Sequence, residues 1–480
     1  MENLDKKQLV IEYFRSQEVK YNAKAKAYLF DQDGKRLDHR NLYVKLKMLI
    51  DKFMVNTYDD RWIIMPGLRG TGKTTLLLEL YYELKNNNVN KYFFSLDQIT
   101  RSLGVDTKYL FQVFEEEIIG KSIEEMNTKS VFFLDEVQYD PGWATTIKTI
   151  YDRSKNVFFL CSGSSALEIN TTVDTARRSR FEKLFPMSFT EFIKISKKQR
   201  EIKDLSQSIR LAIFNSSSAE EVFNKLINLR PKVLKYWENN TLRDIDNYYC
   251  YGTMPYVLKQ ENKQIIYDQV IKTIDEIISK DIPKIGKFTP DVVAKIPEIL
   301  YLLSTSDSIS IRKISERVSI STQVISTLLD TIEKADLIVK LYPYGSHFKQ
   351  IGSTLKYLFR TPIFRNAYNN QLSSSNDYNN YKGLMLEDTG VLYLNKFCQN
   401  VTGASLTFIS DKSESDYILK IGGEAICFEF GYGRKDFSQI LTTLENKSCK
   451  YGIVVSSSEL KLETTHNNSI NVPITYFLLL

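Results

Sequence analysis

Residues 67–74 read Gly-Leu-Arg-Gly-Thr-Gly-Lys-Thr, which fits the pattern G-x-x-x-x-G-K-[ST] at every specified position. The apolar run Trp62-Ile63-Ile64-Met65-Pro66 precedes it and Thr75-Leu76-Leu77-Leu78-Glu79-Leu80 follows. A buried strand, a glycine-rich turn and an amphipathic helix are therefore predicted in direct succession. In that arrangement backbone N–H groups converge on one point, and the helix dipole adds partial positive charge there. The turn is thus a polyphosphate cradle, and the chain around it is restricted to an α/β architecture. Gly67, Gly70 and Gly72 permit positive φ and close backbone approach, with Thr71 completing the turn and Thr75 following it. Lys73 is predicted to reach the β and γ phosphates, and the Thr74 hydroxyl to ligate magnesium. ATP and Mg2+ are the implied cofactors, although these residues do not distinguish ATP from GTP.

About sixty residues later Val131-Phe132-Phe133-Leu134 runs into Asp135-Glu136. Four apolar residues ending in two carboxylates describe a central parallel strand whose C-terminal end opens at a nucleotide crevice. Asp135 would hold the metal and Glu136 would polarise an attacking water, which favours hydrolysis over transfer. A third strand, Val157–Cys161, ends in Ser162-Gly163-Ser164-Ser165. In the additional-strand class of P-loop ATPases the strand beside the acidic one carries a small polar residue that senses the γ phosphate; Ser162 and Ser164 both qualify. Arg177-Arg178-Ser179-Arg180 offers an arginine finger or, equally, a solvated basic turn.

These blocks, with Trp143 and Leu184-Phe185-Pro186-Met187-Ser188-Phe189-Thr190-Glu191-Phe192, resemble a large prokaryotic family of AAA-type ATPases that carries a C-terminal domain of unknown function. Its pattern is a Leu-Asp-Glu-x-Gln block, a Gly-Ser-Ser block, a Gly-Arg pair and a Pro-Leu-Ser-Phe-x-Glu-Phe block. The resemblance places the family's arginine on Arg178, with Arg177 in place of its glycine. Tyr251-Gly252-Thr253-Met254-Pro255 is similar to the family's Gly-Gly-x-Pro turn, and Lys280-Asp281-Ile282 to the end of a following helix. The resemblance implies architecture and ATP chemistry and leaves the biological task open.

At 480 residues the chain is too long for one ordinary core. Five parts are expected: a leader at 1–55, a P-loop ATPase core at 56–190, a helical connector or lid at 191–290, a winged helix at 291–365 and a small α/β domain at 366–480. The leader holds the turn Asp31-Gln32-Asp33-Gly34-Lys35 and a helix near Leu42 to Met54. A net charge of +6 over this length permits nucleic-acid contact without demanding it. Cys161, Cys250, Cys398, Cys427 and Cys449 form no C-x-x-C pair, and no run of eighteen apolar residues occurs. A cytoplasmic protein with free thiols and no membrane partner is expected.

Ile311, Ile314 and Val318, the turn Ser319-Ile320-Ser321, and then Val324, Ile325, Leu328, Leu329 and Ile332 read as a helix-turn-helix. Ile338–Leu341 with Pro343-Tyr344-Gly345 supplies a wing. The second helix would expose Thr322, Gln323, Ser326, Thr327, Asp330 and Glu333, with no arginine, so protein contact is favoured over DNA contact. A polar stretch, 366–380, reads as a linker or exposed loop. After it, Glu387 on a helix, Asp416 on a strand and Glu429 on the next resemble the acidic constellation of PD-(D/E)XK nucleases. Gly431 replaces the expected lysine, and Arg434 or Lys435 could reach back. Strands at 451–455 and 474–480 close the domain.

The expected function is ATP hydrolysis that repositions the winged-helix and nuclease-like parts on nucleic acid (DNA) or a protein partner. The alternatives are a nucleotide-gated scaffold with negligible turnover and an ATP-dependent DNA nuclease. A homo-oligomer follows if the finger acts in trans.

Overall fold

In the N-terminal unit the buried apolar runs become parallel strands. In the computed structural model, whose described residues are 2–55, 60–85, 89–164, 173–305, 309–345, 355–372, 378–433 and 435–480, five such strands form one sheet. They are β1 (Trp62–Pro66), β2 (Val89–Ser95), β3 (Lys129–Asp135), β4 (Val157–Gly163) and β5 (Arg180–Phe181). Their order is β2-β3-β4-β1-β5, and every neighbouring pair is parallel. β1 and β4 are buried along their whole length, and β3 beyond its first residue, which is why each reads as a continuous apolar run and not as an alternation. β4 lies between the strand that feeds the glycine turn and the strand that carries Asp135. This is the expected topology of the additional-strand class. β5 has only two residues and offers no pattern to read.

The chain folds into two compact units, Met1–Phe185 and Pro186–Leu480. The first unit includes the segment expected to be a leader. Helix α1 (Glu2–Leu29) and helix α2 (Asn41–Val55) contribute Val10, Phe14, Tyr21, Leu46, Ile50 and Phe53 to the same core as β1 to β4. Helix α1 also closes the sheet edge. Along an edge strand alternate N–H groups have no partner in the sheet, and here side chains supply it: Gln17 Oε1 accepts from Phe93 N at 3.0 Å and Tyr13 Oη accepts from Ser95 N at 3.2 Å. Tyr13 and Tyr21 share a hydroxyl contact of 2.8 Å. The intervening turn forms as expected, with Gly34 at φ 72° and Asp31 Oδ1 accepting from Lys35 N at 2.8 Å.

The second unit contains β6 (Ile338–Leu341), β7 (Lys356–Phe359), β8 (Ala404–Phe408), β9 (Tyr417–Ile421), β10 (Glu424–Gly431), β11 (Tyr451–Ser456), β12 (Lys461–Leu462) and β13 (Ser469–Pro473). Six of them make a mixed sheet in the order β12-β13-β11-β10-β9-β8. The helices Leu205–Phe214 and Ala219–Trp237, expected to belong to a separate connector, share one core with this sheet. Tyr451 Oη donates to Ile213 O at 2.8 Å and Trp237 Nε1 to Thr475 O at 3.0 Å.

Helices Ile311–Val318 and Thr322–Lys334, joined through Ser319 at φ 57°, precede the antiparallel pair β6·β7. Residues 346–354 lie outside the described residues. Pro343 and Tyr344, expected at a free wing, instead extend the edge of the C-terminal sheet: Phe408 N donates to Tyr342 O at 3.0 Å and Tyr344 N to Phe408 O at 2.7 Å. On the second helix Thr322, Gln323, Thr327 and Lys334 are exposed, while Asp330 is bound by Lys340 at 2.8 Å.

Two further expectations are corrected. Of the stretch 366–380, residues 366–372 and 378–380 are helical and not linker or loop, lying in helices Pro362–Leu372 and Tyr378–Asn400, while 373–377 lie outside the described residues. Its polar composition hides the buried Ala367 and Tyr368, which anchor the first of these helices together with Ile363 and Phe364 just ahead of the stretch. The run 474–480 is not a strand either: β13 ends at Pro473 and Ile474–Phe477 forms a helical turn, buried enough that alternation is lost.

Gly390, on the helix Tyr378–Asn400, backs directly onto the Phe430 ring, which Tyr417, Phe428 and Phe477 enclose with centroids 5.9, 6.2 and 5.5 Å away. Gly390→Ala gains about 1 kcal/mol of helix propensity but overpacks this site by about 2–3 kcal/mol. The net outcome is a urea midpoint below that of the wild type with an unchanged slope; a raised midpoint would refute the packing argument.

Candidate functional site

The glycine turn is shaped by two left-handed residues, Gly70 at φ 85° and Gly72 at φ 96°, with Thr71 between them. Gly67 does not need positive φ, contrary to expectation. It needs the absence of a side chain, since a Cβ there would lie 2.5 Å from Leu184 O. Thr71 Oγ1 donates to Leu68 O at 2.8 Å, closing the turn on itself. Helix α3 (Lys73–Glu83) starts directly after Gly72, so Lys73, Thr74 and Thr75 occupy its first turn, where N–H groups lack intrahelical acceptors. The buried Lys73 ammonium donates to Gly67 O at 2.8 Å and to Leu68 O at 3.0 Å, which holds it over the turn.

Opposite stands Asp135 at the tip of β3. Thr74 Oγ1 donates to Asp135 Oδ2 at 2.9 Å, and Ser162 Oγ at the tip of β4 donates to Asp135 Oδ1. One carboxylate thus joins the glycine-turn helix, β3 and β4. Burial pushes the Asp135 pKa up to about 6, with the Glu136 charge adding to it, while the Ser162 and Thr74 hydrogen bonds pull the other way. Glu136 takes the left-handed conformation at φ 57°, a strained state for this residue type. Its N–H donates to Ser162 Oγ at 3.4 Å. The Gln138 side-chain amide donates to the Glu136 carboxylate and accepts from Ser164 N at 3.3 Å. The two candidate serines therefore divide: Ser162 engages the acids, and Ser164 engages Gln138. Ser165 lies outside the described residues.

Thr74 Oγ1 and Asp135 Oδ2 form a hard-oxygen pair that suits magnesium completed by phosphate oxygens and water. Thr74, Asp135, Glu136 and Ser162 are brought together by hydrogen bonds, and Lys73, next to Thr74 in the chain, is held on the carbonyls of the glycine turn. Arg178 stands on another element, at the end of the short helix Val173–Arg178, and its Nε donates to Asp152 Oδ1 at 2.8 Å. Arg180 is tied to Asp60 at 3.1 Å and to Glu182 at 2.6 Å, and Arg177 is exposed. Sequence reasoning missed Arg40, a buried residue ahead of α2 whose Nη1 donates to Thr71 O at 2.6 Å. It contacts backbone carbonyls, which leave no residue-type signal at the other end of the bond. Gln138 was visible only as part of a family block.

In the second unit, the three acids singled out in the sequence are each engaged. Glu387 binds Lys356 and accepts from Tyr417 Oη at 2.6 Å. Glu429 accepts from Asp416 N at 3.1 Å and from Lys435 Nζ at 2.5 Å, while Asp416 accepts from Phe430 N at 2.9 Å. Asp416 is held well above the usual carboxylate range by burial and then by the charges of Glu387 and Glu429. Lys435 does reach back, its stem lying across Gly431, where a side chain would collide with it. Arg434 lies outside the described residues. Among the described residues no group of three His, Cys, Asp or Glu side chains is arranged to hold a metal ion.

Glycine turn, buried acid and inserted strand together define the N-terminal unit as an AAA-type P-loop domain. Residues 59–193 match the AAA domain family, and residues 242–394 match a domain of unknown function, DUF8612. The chain is 30% identical over 457 residues to the uncharacterized protein MJ1637 of Methanocaldococcus jannaschii, covering 94% of this chain and 90% of that one, and it belongs to the same family. An uncharacterized protein of Haemophilus influenzae is 23% identical over 292 residues, 58% of this chain and 62% of the relative. Among solved structures, the ORC2 protein of Aeropyrum pernix is similar at 12% identity and TM-score 0.36, covering 72% of this chain and 98% of that one. AMPPCP-bound DnaA of Aquifex aeolicus is similar at 16% identity and TM-score 0.27, covering 62% and 89%. Neither likeness bears on substrate or partner. No described helix is long and apolar enough to cross a membrane.

Because the Asp135 pKa is raised in the folded state, its charge opposes folding. The penalty is absent below pH roughly 4, grows as pH rises and is complete above about 6, where it reaches on the order of 2–3 kcal/mol. Asp135→Asn is expected to melt several degrees above the wild type at pH 7.5, with the gap closing toward pH 4.5. A gap independent of pH would refute the burial argument.

Proposed function

We propose that this protein binds ATP with Mg2+ and hydrolyses it, using the nucleotide state to reposition its winged-helix and nuclease-like parts on nucleic acid or on a protein partner. The observation that carries this reading is the meeting of Thr74, Ser162 and Glu136 at Asp135, beside a glycine turn that holds the Lys73 ammonium. The N–H groups of Gly70 to Thr75 would cradle the phosphates, and Lys73 would neutralise charge that develops on the transferring phosphoryl group. Thr74 and Asp135 would hold Mg2+, which draws electron density from the phosphoryl oxygens. Glu136 would orient the attacking water, and Ser162 would fix Asp135 and Glu136 relative to each other. Arg178 would serve as a finger only after leaving Asp152, and one supplied in trans would require a homo-oligomer.

A second reading, a nucleotide-gated scaffold with very slow turnover, is favoured by one observation: the Gln138 amide holds the Glu136 carboxylate. Nuclease activity is the least supported reading, because every acid of the candidate trio is engaged by lysine, tyrosine or backbone.

Phosphate release, measured with and without DNA, separates the first two readings. Stimulation by DNA supports action on nucleic acid; slow release indifferent to DNA supports the scaffold. Glu136→Gln should retain ATP binding with turnover reduced at least about 100-fold, while Lys73→Ala should weaken binding at least about 10-fold. Undiminished hydrolysis in both variants would refute the site.

A further inference from the structure

The buried Arg40 guanidinium is shared between two carbonyls. Its Nη1 donates to Thr71 O at 2.6 Å, inside the glycine turn, and its Nη2 donates to Phe185 O at 2.8 Å. Phe185 is the last residue of the N-terminal unit. The residue before it is also fastened to the turn: Leu184 N donates to Pro66 O at 2.9 Å, and Gly67 lies against Leu184 O with no room for a Cβ. On the far side of the link the chain is fastened again at once. Met187 N donates to Thr253 O at 2.8 Å, and Met187 O accepts from Tyr248 Oη at 2.8 Å. Only Phe185 and Pro186 lie between the two anchorages, and Pro186 has a fixed φ and no N–H of its own.

We propose that Arg40 is a positioning residue that couples phosphate binding in the glycine turn to the 184–187 link, so that nucleotide occupancy is felt where the chain passes from one unit to the next. The inference rests on the ATP-binding reading of the same turn. Thr71 sits between two glycines in left-handed conformations, so a change in the turn on engaging phosphate moves its carbonyl first. Arg40 carries that displacement to Phe185 O because one rigid planar fork grips both oxygens. A lysine has a single ammonium on a flexible stem and cannot hold both carbonyls in fixed geometry. The coupling then depends on the shape of the side chain and not on its charge.

The experiment uses the full-length protein with Mg2+ and a non-hydrolysable ATP analogue, and reads amide exchange at Leu184 and Met187 together with analogue affinity. In the wild type, saturating analogue should slow exchange at both amides at least about 5-fold. In Arg40→Lys the analogue should still bind, within about 10-fold of wild-type affinity, but the exchange response should fall below about 2-fold. Arg40→Lys with a full response would overturn the proposal, as would wild-type protein that binds the analogue with no change at 184–187. Wild-type protein that does not bind the analogue would instead sink the ATP-binding reading, and this inference with it. A purely structural role predicts equal loss of protection in Arg40→Lys with and without analogue, and that result too would overturn the proposal.

Discussion

The Asp135 carboxylate is the joint on which the N-terminal unit turns. Three elements that are distant in sequence meet on its two oxygens, α3 through Thr74 and β4 through Ser162, while Asp135 itself ends β3. A carboxylate buried at this depth is costly unless its lone pairs are occupied. The two hydroxyl donors keep its pKa from rising further under the pressure of burial and of Glu136. The same oxygens are the ones a divalent cation would take, so structural satisfaction and metal affinity compete for one set of lone pairs.

Around this joint, two buried cations donate to backbone carbonyls. Lys73 rests on Gly67 and Leu68, and Arg40 rests on Thr71 and Phe185. Carbonyl partners compensate a buried ammonium or guanidinium without adding a negative charge to a pocket that already holds two acids. An anionic ligand at the turn would also meet the N-terminal end of α3, where the helix dipole favours negative charge.

What could be read from the chain and what could not follow one division. β1, β3 and β4 were legible because strands buried on both faces appear as unbroken apolar runs, and the turn was legible because its glycines, lysine and threonine are demanded residue by residue. Helix α1 was not, since the face it buries includes Gln17, Tyr13 and Tyr21, whose polar atoms serve the backbone of β2 and dilute any amphipathic signal. Arg40 acts on main-chain oxygens, and no sequence pattern marks a carbonyl. The helices over 362–400 were hidden behind asparagines and serines, although four buried side chains anchor the first of them. The subdivision of the second unit failed to show because Ile213 and Ile453, some 240 positions apart, share a core that only the folded chain reveals.

The side-chain cover that α1 places over β2 has a consequence for how this domain can be isolated. A fragment trimmed to the matched segment 59–193 would keep every residue of the glycine turn and of the acidic strand tip, yet it would expose the main-chain donors of Phe93 and Ser95 along the edge of β2. Such an edge is a template for pairing with another chain. The first thirty residues are in this sense a shield against self-association, built by donating two polar side chains where another protein would have added a sixth strand.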